Sequence, residues 1–532
     1  MLNTQLLLVL AGLAFLFLTA KKWITRRHTN QTLPPSPPPL PLLGNLHIFP
    51  TKDVHYQFTK WARQYGEIYT LYLGPTTAIV LTSPLAIQQI LEKNSALTSD
   101  RPDNYIARLV TGDDHNLVLA HYTDTWRSLR RGAHGILTAQ ACLDHLAIQQ
   151  AEAVQLSHDL LTDPGGFATS IRRYSFSVIM SVLYGKRVPR YASPEATALF
   201  KMLELWVNIL SPGAHPLIEM FPALRCIPGP FASWRRLCKK VRIIQRQLYF
   251  GLLDEVEARS DQGNGNGCFM ETVCARAQEW GLDRELTGYL GGVLIEAGSD
   301  TTSAFIQTLV LLLVAHPQVQ RKAQVELDAV VGTDRMPILE DLEDLPYVRA
   351  VILETHRYRP VAPLAVPHAA TAGFNYGQYT IPKGAILFVN TYGVFHDETI
   401  FKDPETYNPS RFLENPEKEK LLDLAFGAGR RVCPGMNLAR NSIAINTMNL
   451  LWGFDFMKAR DATGAMIEPD VWDYSEGVAT CPNPFKCDIN PRSRHHEEIV
   501  RRDFIASRDA FLPFEHNLSA SDKAFIREQW KD

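Results

Sequence analysis

The sequence predicts a mainly α-helical protein with a small β portion, in which one large domain follows an N-terminal membrane anchor. Helical periodicity dominates from Pro84 to Arg357, and short β-rich runs flank this region. Hydrophobic residues make up 46% of the 532 residues and charged residues 21%, so the chain has the apolar side chains that a large core needs. This composition excludes a mostly disordered protein.

Charge and cysteine usage exclude further classes of protein. The 54 Lys and Arg residues nearly balance the 56 Asp and Glu residues, and the formal net charge of −2 predicts no nucleic-acid partner. Eight cysteines are too few for a disulfide scaffold of this length. None of them forms a CxxC pair, which argues against a zinc finger or a thioredoxin-type site.

The N-terminus predicts a membrane anchor at residues 1–20. The run from Leu6 to Ala20 carries no charge, and residues 1–20 are about as long as a bilayer requires. Four cations follow the run, whereas a cleaved signal peptide carries its positive charge in front. An uncleaved anchor is therefore favoured over a signal peptide. The positive-inside rule then keeps the following domain in the cytoplasm.

Residues 21–41 form a basic flank and a proline-rich hinge. The prolines between Pro34 and Pro41 favour the extended polyproline conformation. We expect a stiff spacer that holds the globular part at one tilt on the membrane. The alternative is a motif for a proline-binding partner, which the position directly after an anchor makes less favourable.

Local patterns predict several elements of the large domain. Residues 67–82 contain two β-rich runs around Gly74 and Pro75, which is typical of a hairpin. The Gly- and Asn-rich residues 261–267 predict a loop between helices, and residues 385–390 predict a short strand.

One long helix is predicted from Leu286 to Ala315. Its composition is apolar enough to resemble a second membrane span. However, Glu296 and Asp300 lie within it, and ionisable side chains argue against exposure to lipid. We therefore expect a buried core helix.

Residues 491–532 differ from the preceding domain. They are dense in charges of both signs, a pattern typical of a solvated helix. The sequence assigns no chemistry to this charged C-terminal extension.

The segment FGAGRRVCPG at residues 426–435 carries the most specific chemistry. Cys433 lies in a turn bounded by glycines, and a helix predicted from Gly435 to Leu451 would present its N-terminus to the thiolate. Arg431 lies two residues before the cysteine and suits an anionic edge of a cofactor. One thiolate from one loop is not a zinc site, but it is the pattern of a single axial haem ligand.

This segment resembles the haem-binding loop of the cytochrome P-450 family, whose pattern is F-x-x-G-x-R-x-C-x-G. The five matching residues are Phe426, Gly429, Arg431, Cys433 and Gly435. The resemblance covers roughly residues 34–490. It implies a haem-thiolate monooxygenase domain at residues 42–490, with haem b bound through Cys433.

Two further motifs of the family follow the expected order. The segment AGSDTT at residues 297–302 resembles the oxygen-activating segment, in which Asp300 and Thr301 would relay protons to bound dioxygen, given a local widening of the helix. Glu354 and Arg357 resemble the E-x-x-R motif, and Arg411 would complete a buried network with them.

Other residues match family positions that contact the haem propionates. Trp126 and Arg130, at i and i+4, resemble the pair on the helix that reaches a propionate, and the alternative is an amphipathic surface helix with a buried Trp. His368 occupies a place where the family often has His or Arg, although a lone histidine is more often structural.

The resemblance to fungal microsomal members implies function and location. It implies electrons from NADPH through NADPH-cytochrome P-450 reductase, O₂ as co-substrate, and a single-pass protein of the endoplasmic reticulum membrane. The pocket segments map to residues 106–119, 296–301, 361–366 and 477–480, and their apolar composition suggests a lipophilic small-molecule substrate, such as a terpenoid-like secondary metabolite. Glu296 either binds a polar group of the substrate or turns away into a salt bridge.

Two other functions compete with this one. A haem-thiolate isomerase, dehydratase or peroxygenase would need no reductase, but it would also have no need of Asp300 and Thr301. A haem sensor would bind the cofactor without NADPH-dependent turnover.

Overall fold

The computed structural model of the protein describes residues 32–210 and 217–530. The predicted anchor at residues 1–20 and most of the basic flank lie outside the described residues. Among the described helices, only Arg284–Ala315 is long and apolar enough to cross a membrane, and most of it is buried inside the protein. The expectation of a core helix at this position is confirmed.

The β portion is small, as predicted, and consists of three sheets. A four-stranded sheet has the order β1-β2-β6-β3, and two further sheets pair β4 with β5 and β7 with β8. The strands are β1 (Ile68–Leu73), β2 (Thr76–Leu81), β3 (His368–Ala369), β4 (Phe374–Tyr376), β5 (Tyr379–Ile381), β6 (Ile386–Val389), β7 (Phe454–Lys458) and β8 (Cys487–Pro491).

The predicted hairpin is confirmed. Strands β1 and β2 pair antiparallel with Ile68 opposite Leu81. Gly74 at the turn has φ of 59°, a backbone region that glycine adopts without steric cost. Strand β6 adds parallel to β2, and it lies within the strand predicted at residues 385–390.

The proline-rich hinge is held against this sheet. Thr70 in β1 donates from its backbone N–H to the carbonyl of Pro35 at 2.7 Å and from its hydroxyl to that of Pro34 at 2.9 Å. Asn45 donates to the carbonyl of Pro37 at 3.1 Å. Because proline lacks an N–H but keeps its carbonyl, these prolines bind as acceptors only.

Fourteen α-helices of seven or more residues account for nearly half of the described chain. They are α1 (Val54–Tyr65), α2 (Tyr105–Thr111), α3 (Asp124–Ile136), α4 (Leu146–Thr162), α5 (Phe167–Tyr184), α6 (Pro194–Leu210), α7 (Ser233–Asp261), α8 (Phe269–Trp280), α9 (Arg284–Ala315), α10 (Pro317–Val330), α11 (Pro346–Tyr358), α12 (Met436–Gly453), α13 (Arg494–Ala506) and α14 (Ala520–Gln529). The predicted loop at residues 261–267 joins α7 to α8.

Helix α9 runs through the main hydrophobic core. It packs against α3, α5, α7, α8, α10, α11 and α12. Two smaller apolar clusters lie at the sheet, one of them around β1, β2 and α1. One of these clusters includes Ala350 of α11, so the helical body meets the β portion at this helix.

The sequence suggested that the charged C-terminal extension is a solvated helix. The structure shows that part of it is buried against the main domain. Its outer face is charged, but α13 buries Val500 and Phe504, and the Phe504 ring stacks on His158 of α4 with centroids 4.1 Å apart. Glu515 accepts from Arg187 at 2.7 Å, and this buried arginine also reaches Glu152 of α4 at 3.1 Å. The extension thus covers a buried ion-pair network.

Candidate haem site

An exposed stripe interrupts the buried surface of α9. Ala297 and Thr301 are exposed, and Gly298 and Asp300 are half-buried, although the residues before and after them are buried. These four positions share one side of a helix that the core surrounds. A stripe of this kind lines an internal hollow.

The Cys433 loop is built by tight backbone geometry. The N–H of Cys433 donates to the carbonyl of Phe426 at 2.8 Å, which closes the loop. Gly429 has φ of 64°, and a Cβ there would lie 2.2 Å from the carbonyl oxygen of Leu91. Only glycine fits this position, because the positive φ disfavours other residues and a side chain would clash with the backbone of Leu91. Helix α12 begins at Met436, as the sequence predicted.

Cys433 lies in an environment that balances burial against positive charge. Burial raises the pKa of its thiol, and the Gly435 backbone N–H and the Arg130 guanidinium lower it. Arg130 makes no hydrogen bond or ion pair with the described residues, and burial lowers its own pKa. Its charge is therefore available to an anion near the thiolate.

Arg431 and Trp126 form a stacked pair. The guanidinium of Arg431 lies 4.3 Å from the centroid of the Trp126 ring. Arg431 donates to the carbonyls of Ser99 at 2.8 Å and Ala120 at 2.7 Å, and burial lowers its pKa to about 10. Trp126 donates to the carbonyl of Leu117 at 3.2 Å. Trp126 is buried on a helix whose opposite face, with Arg127 and Arg131, is exposed, so the structure fits the propionate contact and also the alternative of an amphipathic surface helix with a buried Trp.

Arg101 is a cationic residue of this cluster that sequence reasoning missed. It is buried and donates to the carbonyls of Val366 at 2.6 Å and Pro367 at 2.8 Å. Burial lowers its pKa, and the positive charge of Arg431 lowers it further. No spacing signal marks Arg101 in the sequence, because the loops that place it beside Arg431 lie more than 300 residues apart.

His368 stands in β3 next to the same arginines. Its Nδ1 lies 2.8 Å from the carbonyl of Thr98, the partner to which it can donate. Burial lowers the pKa of His368 to about 3, and the charge of Arg101 adds to this effect. A carboxylate beside the ring would raise the pKa again.

These donors fit haem. Arg101, Arg130 and Arg431 are buried or partly buried cations, and the hydrogen bonds of Arg101 and Arg431 go to backbone carbonyls rather than to carboxylates. Buried cations need compensating negative charge, which the two propionates of haem would supply. Cys433 offers one thiolate, and no cluster of three or more His, Cys, Asp or Glu side chains suited to a metal occurs among the described residues.

Asp300 and Thr301 lie on adjacent positions of the exposed stripe. The Thr301 hydroxyl donates to the carbonyl of Ala297 at 2.8 Å. Burial raises the pKa of Asp300, and the Arg172 guanidinium opposes this rise. Helix α9 is α-helical without interruption from Arg284 to Ala315, so the local widening expected from the sequence is absent from the backbone.

Glu354, Arg357 and Arg411 are brought together. Arg357 donates to both carboxylate oxygens of Glu354, at 2.7 and 2.9 Å, and Arg411 donates to the same carboxylate at 3.1 Å. The backbone N–H of Asn408 adds a fourth bond at 2.7 Å. Glu354 and Arg357 are fully buried, so the network depends on this complete set of partners.

Glu296 does not form the salt bridge that was one of the two roles expected for it. Its carboxylate accepts hydrogen bonds from Gln245, at 3.0 Å, and from the Tyr249 hydroxyl, both on α7. It forms no salt bridge among the described residues, and its side chain is directed to α7 rather than along the exposed stripe of Ala297 and Thr301. Burial raises its pKa to about 7.

Two of the predicted pocket segments meet in the structure. The backbone N–H of Thr480 donates to the carbonyl of Val361 at 2.8 Å, which joins residues 477–480 to residues 361–366. The latter segment also accepts from Arg101 through Val366. Residues 361–366 therefore contact both another predicted pocket segment and one of the buried arginines, Arg101.

Comparison with known proteins gives one family throughout. The profile described as Cytochrome P-450 matches residues 34–486. A cytochrome P-450 monooxygenase of Armillaria gallica is 43% identical over 503 residues, covering 93% of this chain and 95% of the relative. Cytochrome P-450 monooxygenase yanC of Aspergillus niger is 35% identical over 527 residues, covering 95% and 98%. A zebrafish cytochrome P-450 with progesterone superposes with a TM-score of 0.71 at 25% identity, covering 82% of this chain and 99% of that one.

Proposed function

The chain belongs to the cytochrome P-450 family of haem-thiolate monooxygenases, and we propose that this member takes electrons from NADPH through a reductase and hydroxylates a lipophilic small molecule. The observation that carries the proposal is a row of three buried or partly buried arginines that begins beside Cys433 with Arg130 and continues through Arg431 to Arg101; none of them forms an ion pair with a carboxylate of the described residues. Haem bound there would supply activation of dioxygen and oxidation of a C–H bond.

The residues of the site would divide the work of holding the cofactor. The Cys433 thiolate would ligate the iron, and the Gly435 N–H would stabilise its negative charge. Arg101, Arg130 and Arg431 would bind the propionates, with Trp126 orienting Arg431 by stacking. The Nδ1 of His368 is taken up by the Thr98 carbonyl, so only Nε2 could donate to a propionate. Nε2 would carry a proton there only if the nearby carboxylate raised the lowered pKa of the ring.

Asp300 and Thr301 would hold and move protons. The Thr301 hydroxyl lies on the exposed stripe, and the raised pKa of Asp300 suits a carboxyl that exchanges protons with water. An isomerase or a haem sensor has no use for this pair, which favours the oxygen-dependent reaction over both alternatives.

The substrate is proposed to be a lipophilic natural product. The predicted pocket segments are mainly apolar, and apolar pockets bind apolar ligands. Zebrafish relatives of the same fold hold progesterone and abiraterone, and several similar monooxygenases come from fungi, where we propose a role in secondary metabolism. An anchor in the endoplasmic reticulum membrane, with the catalytic domain in the cytoplasm, suits such a substrate and the reductase.

Metabolite profiling tests this function. Microsomes that contain the protein and a reductase are given an extract from a producer strain that lacks the gene, with and without NADPH. A compound that gains one oxygen mass only with NADPH supports the monooxygenase and identifies its substrate. A product without added oxygen, formed equally without NADPH, supports the isomerase alternative.

The matched control replaces one cysteine at a time. We expect Cys433→Ala to abolish both the thiolate spectrum with carbon monoxide and the product. Cys487→Ala, a half-buried cysteine in β8, should retain both. Product formation by Cys433→Ala contradicts the assigned ligand.

A further inference from the structure

Helix α5 packs closely against the backbone of α9 at Gly298. A Cβ at Gly298 would lie 2.8 Å from the side chain of Ile179 on α5. Because the glycine has no side chain, α5 comes near enough for its polar side chains to reach the backbone of α9. Gly298 immediately precedes the turn that carries Asp300 and Thr301.

A serine of α5 makes use of this close approach. The hydroxyl of Ser175 donates to the carbonyl of Gly298 at 3.1 Å. Ser175 is 3% exposed, so bulk water does not compete for this bond. Ser175 and Ile179 are four residues apart on α5, and therefore both face the same point of α9.

The Gly298 carbonyl also has a partner within its own helix. In an α-helix, the carbonyl of residue 298 accepts from the N–H of Thr302, four residues later. A second donor competes for the oxygen and draws it away from the helix axis, and side chains inserted in this way open the helical ladder. The turn on which Ser175 acts is the one from Gly298 to Thr302, which keeps its α-helical geometry in the structure.

We infer that Ser175 is a positioning residue for proton delivery: by binding the Gly298 carbonyl, its hydroxyl loosens the α9 turn that holds Asp300 and Thr301, so that water can enter between them. This role rests on the proposed monooxygenase function. It also explains how proton delivery could occur on a helix without a break. The hydrogen bond from α5, rather than a distortion of α9, would weaken the turn.

Hydrogen exchange of the holoenzyme tests the structural half of the inference. Ser175→Ala removes the competing donor, so the amide of Thr302 should exchange about fivefold more slowly than in the wild type, as expected for one hydrogen bond of ordinary strength. Ser175→Cys fills the same volume with a weak donor and should change exchange in the same direction. Ser181→Ala is the control, since the hydroxyl of this buried serine of α5 has no hydrogen-bond partner among the described residues.

Reaction stoichiometry tests the functional half without a known substrate. With reductase and NADPH alone, reduction of O₂ to H₂O₂ consumes one NADPH and one proton, and reduction to two H₂O consumes two NADPH and two protons. The second route needs the additional protons. We expect Ser175→Ala to move the ratio of NADPH to O₂ toward one, and Ser181→Ala to keep the wild-type ratio.

The two measurements separate the possible failures. Unchanged or faster exchange at Thr302 in Ser175→Ala overturns the inference, whatever the reductase assay gives. Slower exchange with an unchanged ratio of NADPH to O₂ overturns the role in proton delivery. A wild type that consumes no NADPH with any reductase overturns the proposed function itself, and the role in proton delivery with it.

Discussion

Glu296 gives this protein a stability that depends on pH. Burial between α7 and α9 raises its pKa from 4.5 to about 7. A group whose pKa is raised by folding contributes its full stability below pH 4.5 and loses it as the pH rises through about 7. At 1.36 kcal/mol per pKa unit, a rise of about 2.5 units corresponds to roughly 3 kcal/mol.

The substitution Glu296→Gln removes the titration and keeps the shape. The amide oxygen of glutamine can still accept from Gln245 and Tyr249, so the variant should match the wild type near pH 5. Its free energy of unfolding should exceed that of the wild type by about 3 kcal/mol at pH 8, roughly 3 °C in Tm for a chain of this length. The assay is guanidinium unfolding of the holoenzyme, followed by tryptophan fluorescence from pH 5 to 8.

Glu285 on the same helix is the control for Glu296. It forms an exposed ion pair with Arg246 at 2.6 Å, and this hydrogen-bonded partner lowers its pKa. Glu285→Gln should therefore lose stability slightly at neutral pH, the opposite direction. A difference between Glu296→Gln and the wild type that stays flat from pH 5 to 8, or falls, refutes a protonated Glu296.

Three further predictions concern the site. Arg101→Ala should release haem to apomyoglobin roughly 10–100 times faster, the effect of one lost charge-assisted bond, whereas the exposed Arg127→Ala should not; equal rates would remove Arg101 from the propionate cluster. Arg411→Ala should lower the free energy of unfolding by about 3 kcal/mol. This value is at the lower end for a broken buried ion pair, because Arg357 still binds Glu354. A loss below about 1 kcal/mol, the size typical of exposed pairs, contradicts the buried network. Thr301→Ala should keep the haem but raise the H₂O₂ formed per NADPH, and an unchanged yield argues against its role in proton delivery.

The local elements and the reactive loop were readable from the sequence. The hairpin around Gly74, the core helix α9 and the helix after Cys433 each depend on residues close together in the chain. Hydrophobic periodicity and glycine positions are sufficient for such elements. The Glu354 and Arg357 contact is of the same kind, because i and i+3 share a helix face.

Other parts of the site were beyond sequence reasoning. Arg101 comes to lie beside Arg431 through loops that are separated by hundreds of residues. The direction of Glu296 depended on which helix packs against α9 at its position, and that helix is α7. The role of the C-terminal extension depended on Glu515 meeting Arg187, 328 residues earlier.

The sequence by itself determined which chemistry this protein can perform, and the tertiary structure decided which side chains surround that chemistry. A thiolate loop, a long helix with an acid and an alcohol, and a helical body follow from residue types and their spacing. Burial, charge compensation and the pKa of each group follow from neighbours distant in the chain, because solvent exclusion is a property of the packed molecule. Ser175 is an example. In the sequence it is one serine among many in a helix, and only the close packing at Gly298 lets its hydroxyl donate to the backbone carbonyl of α9.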